Sequence, residues 1–182
     1  MYLKIHYVKI YLVIKMDLPK RKPTRLKDYN YSSFGSYFIT ICTHNRKCIL
    51  CDIVGDGVYD IPKINLTECG MILEKYIVFM NTKYDNISID KYAIMPNHIH
   101  LIIKIENKFP DGMSQAPYPT TNAIIPKYIS LFKRYCNREI GKNIFQRSFH
   151  DHIIRNEKDY LKIWNYIDTN PQKWRDDCFY TE

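Results

Sequence analysis

A chain of 182 residues is about the length of one domain, enough to bury a core without disulfide or metal staples, and its composition agrees with a globular protein. The formal charge of +8, from 27 Lys and Arg against 19 Asp and Glu, favours a polyanionic partner, nucleic acid before membrane. Six cysteines (Cys42, Cys48, Cys51, Cys69, Cys136 and Cys178), irregularly spaced with no signal peptide ahead of them, argue against a disulfide framework and read as reduced thiols of the cytoplasm.

Met1 to Met16 is rich in Ile, Tyr, Val and Leu, yet it is too short to span a bilayer and is interrupted by Lys4, His6, Lys9 and Lys15. A secretory signal would put its charge first and end in small residues. The stretch 1–16 therefore reads as an extension outside the domain, with Met16 as the start. Lys20, Arg21, Lys22, Arg25 and Lys27, with Pro19 and Pro23 among them, make 17–36 a basic arm. Such an arm is either laid along phosphates or a solvated lead-in.

From Tyr37 to Thr43 the apolar alternation predicts a first strand, ended by the polar turn Thr43-His44-Asn45-Arg46. Cys48-Ile-Leu-Cys51 has zinc-knuckle spacing, but no second pair completes it and its interior is apolar. Asp52 to Lys63, with Gly55, Gly57 and Pro62, predicts an irregular loop or short hairpin. Asn65 to Tyr84 changes period: Leu66, Cys69, Leu73, Tyr76, Ile77 and Met80 recur at three and four, as on a helix with one buried face.

Ser88 to Met95 and His98 to Ile105 predict two strands joined by a Pro96-Asn97 turn. Alternation puts His98 and His100 on one face, roughly 6.8 Å apart at the backbone, and Ile99 in the core. Two imidazoles so placed can converge on one ion. Asn107 to Thr121, with Pro110, Gly112, Pro117 and Pro119, predicts a long loop where a substrate flap would be useful. Thr120 to Ile140 reads as a second helix, with Ile124, Ile125, Tyr128, Leu131, Phe132 and Tyr135 inward and Lys127, Lys133, Arg134 and Arg138 outward.

Asn143 to Arg155 contains a final strand region. Asn156 then caps a last helix, with Glu157 and Asp159 in its first turn and Pro171 as its stop. On that helix Tyr166 and Asn170 are four apart and share a face. The order strand, helix, strand, strand, helix, strand, helix predicts an α+β, ferredoxin-like (RRM-like) antiparallel sheet with helices on one face, plus the C-terminal helix carrying Tyr166.

Met95-Pro96-Asn97-His98-Ile99-His100, the segment Phe145-Gln146-Arg147, Asp151-His152-Ile153-Ile154-Arg155 and Tyr166-Ile167-Asp168-Thr169-Asn170-Pro171 together resemble the REP-associated tyrosine transposases. These belong to the HUH single-strand nucleases, named for two histidines flanking a hydrophobic residue. Arg25-Leu-Lys-Asp-Tyr-Asn-Tyr31 with Tyr37-Phe-Ile-Thr-Ile-Cys resembles the family's opening, and the likeness runs from about Lys20 to Asp177.

The resemblance implies a single HUH-type catalytic domain over 37–177, acting in DNA transposition on single-stranded or hairpin DNA of REP-element type. It implies His98 and His100 as ligands of Mg²⁺ or Mn²⁺ with Asn170 as the third, and Tyr166 as the nucleophile that forms a 5′-phosphotyrosine. It also implies a monomer rather than a dimer. Arg21, Lys22, Arg25, Lys27, Lys133, Arg134, Arg147 and Arg155 are the expected DNA contacts, and Tyr37 and Phe149 read as exposed aromatics for stacking unpaired bases. Two other readings stand beside this one: a non-catalytic single-strand binding module, and a zinc protein using His98, His100, His150 and His152.

Overall fold

The structure, a computed structural model, describes residues 29–55, 62–106 and 123–180. Residues 1–28, including Arg21, Lys22, Arg25 and Lys27, and the loop expected at Asn107–Thr121 lie outside them. The elements are β1 (Gly35–Cys42), β2 (Cys51–Val54), β3 (Lys63–Leu66), α1 (Glu68–Lys83), β4 (Ile87–Ile94), β5 (His98–Ile105), α2 (Ile124–Ile140), β6 (His150–Ile154) and α3 (Glu157–Thr169). Four strands form one antiparallel sheet in the order β4-β5-β1-β6, and β2 pairs with β3 as a separate hairpin in the segment expected to be a loop or hairpin. This is the ferredoxin-like plan expected from the sequence, with the hairpin inserted between its first strand and first helix.

The sheet is covered on both sides. On one, Tyr37, Ile39 and Ile41 of β1 and Ile99, Leu101 and Ile103 of β5 pack with Leu73, Ile77 and Met80 of α1 and Ile125, Tyr128 and Phe132 of α2. Burying a side chain such as Ile99, which is fully enclosed, contributes about 1.5–3 kcal/mol. On the other, Ala93, Ile102 and Ile154 meet Ile163 and Ile167 of α3. Two covered faces correct the reading of Tyr37 and Phe149 as exposed stacking platforms: Tyr37 is buried completely and Phe149 almost so.

Helix boundaries follow their caps. The run predicted to start at Asn65 begins instead at Glu68, because Leu66 pairs with Cys51 in the hairpin and Thr67 is the N-cap, its Oγ1 accepting from Gly70 N at 3.2 Å. Helix α2 starts at Ile124, whose N–H donates to Ser32 Oγ, and stops where Gly141 takes φ 77°. Asn156 caps α3 as expected, Oδ1 accepting from Asp159 N at 2.8 Å. Pro171 does not end the chain's helical course: after Thr169 it tightens into a 3₁₀ stretch, Asn170–Asp176, with the proline in its first turn, where no N–H is needed.

Candidate active site

Strand β5 lies between β1 and β4, and its first residue, His98, pairs with Cys42 while His100 pairs with Thr40. Both histidines point to the α3 side, as the period of two requires. They are not on an open face, however: His98 and His100 are 0% and 1% exposed. The 3₁₀ stretch after α3 carries the chain back over them, so that the Phe179 ring lies 4.7 Å from His98 and the Tyr166 ring 5.3 Å from His100.

Each ring is oriented through Nδ1. His98 Nδ1 faces Asn97 Oδ1 at 2.8 Å, and the Asn97 amide is itself fixed because its Nδ2 donates to Phe179 O. A carbonyl oxygen only accepts, so His98 carries its proton on Nδ1 and leaves Nε2 bare. His100 Nδ1 lies 2.9 Å from Thr40 Oγ1, a hydroxyl that can donate or accept. The two Nε2 atoms meet at 3.0 Å. Burial pushes both imidazoles down to about 3, helped at His98 by Arg46 and at His100 by His98, with Asp177 opposing at His100. Neutral imidazole is the form that ligates metal.

The other donors come from the C-terminal segment. Tyr166 and Asn170 share a face of the chain as the spacing predicts, and both reach one carboxylate oxygen: Asp177 Oδ2 accepts from Tyr166 Oη at 3.4 Å and from Asn170 Nδ2 at 2.8 Å. Tyr166 Oη also lies 3.4 Å from His100 Nε2. Its phenol is pushed up to about 12, chiefly by burial and then by Asp177. With its amide nitrogen spent on Asp177, Asn170 keeps a buried Oδ1 that has no hydrogen-bond partner.

This donor set fits a hard divalent ion. Adjacent ligands of a six-coordinate ion at about 2.1 Å lie about 3 Å apart, the separation of the two Nε2 atoms. An orphaned amide oxygen and a carboxylate supply the oxygen donors that Mg²⁺ and Mn²⁺ prefer. Asp177 does not stand out in the sequence: it lies seventy-nine positions after His98, beside an equally acidic Asp176, and no periodicity distinguishes the two.

Other expected residues lie elsewhere. His152 Nε2 bonds Asp159 Oδ2 at 2.9 Å and His150 is exposed near Phe179, so the four-histidine zinc site is not formed. Among the described residues, the group of three metal-type ligands is His98, His100 and Asp177. Cys48 is exposed while Cys51 is buried with its thiol on Ile94 O, and none of the six cysteines forms a disulfide. Lys133 Nζ donates to Gln146 O and Ser148 O, each at 2.8 Å, and burial lowers it to about 8. Arg134, Arg147 and Arg155 are exposed. No helix among the described residues is long and apolar enough to cross a membrane.

No family model matches the chain. It is 33% identical over 175 residues to an uncharacterized protein of Haemophilus influenzae, covering 89% of this chain and 94% of that one, and the two belong to one family. A second Haemophilus influenzae protein, provisionally named a REP-associated tyrosine transposase, is 30% identical over 83 residues, 44% of this chain and 47% of its own length. Among solved structures, a REP-associated tyrosine transposase bound to a REP hairpin shares the fold, with a TM-score of 0.57 and 24% identity over 82% of this chain and 73% of that one.

Proposed function

We propose, on the premise that this chain is a relative of the REP-associated tyrosine transposases, that it cleaves and rejoins single-stranded DNA next to a hairpin, using Tyr166 as the nucleophile. One observation carries the reading: the Tyr166 hydroxyl stands 3.4 Å from His100 Nε2, beside the point where the Nε2 atoms of His98 and His100 converge.

The residues divide the work as follows. His98, His100 and Asn170, with Asp177 as a further oxygen donor, would hold Mg²⁺ or Mn²⁺. Bound there, the ion supplies Lewis acidity toward a phosphate oxygen and offsets the negative charge of the transition state. Tyr166 Oη attacks the phosphorus, forming the 5′-phosphotyrosine bond as the bond to the 3′ oxygen breaks; the departing oxygen takes a proton and becomes a 3′-hydroxyl. One phosphoester replaces another, so no nucleotide triphosphate is consumed and the reverse step rejoins DNA. A phenol raised to about 12 is neutral near pH 7 and must lose its proton as it attacks, and the Asp177 carboxylate is the acceptor in reach.

Arg134, Arg147, Arg155 and the arm residues Arg21, Lys22, Arg25 and Lys27 serve as backbone contacts, whereas Lys133, expected among them, holds the carbonyls of Gln146 and Ser148 and so fixes the segment that carries Arg147. Tyr166 meets His100 of its own chain, which supports action as a monomer. The test is incubation with labelled hairpin DNA and Mn²⁺, followed by a denaturing gel. A covalent adduct that disappears in Tyr166→Phe is expected. An adduct that persists in that variant removes Tyr166 from the chemistry, and the absence of adduct on every hairpin favours a binding module.

A further inference from the structure

The outer stripe of α2 and the segment that follows it enclose an open groove of about 870 Å³, far larger than the space beside Tyr166. Five cations line it: Lys133, Arg134, Arg138, Lys142 and Arg147, and no acidic side chain is among the described residues of its wall. On the helix Arg134 and Arg138 are four apart with Lys133 beside the first, so one side of it carries the charge. The helix's own acid, Glu139, is turned away and held by Lys75 at 2.8 Å. Arg138 and Lys142 also suit a helix C-terminus, but Lys133, Arg134 and Arg147 lie outside the last turn, where the dipole does not call for them. Lys133 spends its ammonium on the carbonyls of Gln146 and Ser148, which fixes the 146–148 wall and with it the position of Arg147.

The groove is built for phosphates and not for bases. Its two aromatic rings, Phe145 and Phe149, are 3% and 6% exposed and offer no stacking face. Accessible aromatic side chains lie instead around the nucleophile: Phe38, whose ring is 6.0 Å from that of Tyr166, and Trp174, which is 6.0 Å from His98. The two regions are joined through the end of the sheet. Phe145 bridges to Thr43, Gln146 N donates to Cys42 O, and Cys42 pairs with His98.

Resting on the transposase reading above, we infer that this groove seats the paired stem of the DNA hairpin by its sugar-phosphate backbone, while the unpaired strand leaves it around the end of β1 to reach Tyr166. A duplex presents phosphates and hides its bases, which is what a basic wall without stacking surfaces can hold.

The test measures binding without cleavage, by fluorescence anisotropy in EDTA, for a hairpin with a short tail and for the tail alone. The full-length triple variant R134Q/R138Q/R147Q changes only exposed side chains. It should bind the hairpin about tenfold or more weakly, and the slope of log affinity against log salt should flatten by about 0.9 for each phosphate no longer neutralised. The tail alone should weaken by less than about twofold. The charge-keeping R134K/R138K/R147K should retain most of the affinity, and K63Q/K83Q/K158Q, spread over other faces, should weaken the hairpin no more than the tail. Equal weakening on hairpin and tail would overturn the inference in favour of an unpaired strand in the groove, and an effect no larger than that of the dispersed triple would make the cations a solvated surface. Because no adduct is scored, a chain that binds stems through the groove but never forms an adduct would sink the catalytic reading and leave this one standing.

Discussion

Tyr166 and His100 face each other across the join between a terminal helix and a central strand, hydroxyl to Nε2, at 3.4 Å. The hydroxyl's contacts to His100 and to Asp177 are both long, and the residue is 40% exposed. Removing the oxygen alone should therefore cost less than about 1 kcal/mol of stability. Tyr166→Phe is expected to melt within a few degrees of the wild type while losing adduct formation; a large drop in melting temperature would mean that the phenol is structural.

The orienting partners of the histidines predict a metal phenotype without any DNA. Asn97 Oδ1 accepts the hydrogen bond from His98 Nδ1–H, so Asn97→Ala frees that ring to adopt the tautomer with Nε2 protonated. Mn²⁺ affinity, read by isothermal titration on the protein alone, should fall about 10- to 100-fold. Unchanged affinity would show that Asn97 only packs.

In the metal-free protein, acid should destabilise the fold through the same pair. Burial holds His98 and His100 at about 3 in the folded chain, against 6.5 when unfolded. Below pH 6.5 the unfolded chain binds protons that the folded one refuses, so stability is complete above that value and is lost as pH falls toward 3. At about 1.4 kcal/mol per unit for each group, the pair loses roughly 2–4 kcal/mol between pH 6.5 and 5. Urea midpoints measured in chelator follow this directly, and a flat profile over that range would contradict neutral buried rings.

Gly70 supplies a packing prediction that runs against helix propensity. A Cβ there would lie 2.1 Å from Leu50 O, so the helix N-terminus and the bend that leads into β2 could not keep their separation. Gly70→Ala gains about 1 kcal/mol of propensity and still should be destabilising overall, by about 1–3 kcal/mol, in denaturant unfolding.

Much of the fold is legible in the chain because alternation and helical period are local signals. His98 to Ile105 stands out as a strand, and Tyr166 with Asn170 as a shared face. What stays hidden depends on contacts distant in sequence. In Tyr37-Phe-Ile-Thr-Ile-Cys both alternating sets carry apolar residues, since both faces of β1 are covered, so the pattern cannot say which aromatic ring is inside. It is Phe38, not Tyr37, that lies beside His100, with ring centroids 5.1 Å apart. The closure of the histidines by Asp177 and Phe179 joins strand and tail, and no spacing rule reaches across that gap.

The uneven covering of the sheet has a bearing on how the two halves of the site move. The imidazoles are clamped in a strand hydrogen-bonded on both edges and backed by the main core, whereas the helix bearing the phenol rests on the small patch formed by Ala93, Ile102 and Ile154. Local opening draws on the least-packed parts of a molecule first. On the proposed function, the phenol mounted on the looser element would swing a captured strand outward while the imidazole pair beneath it keeps its shape.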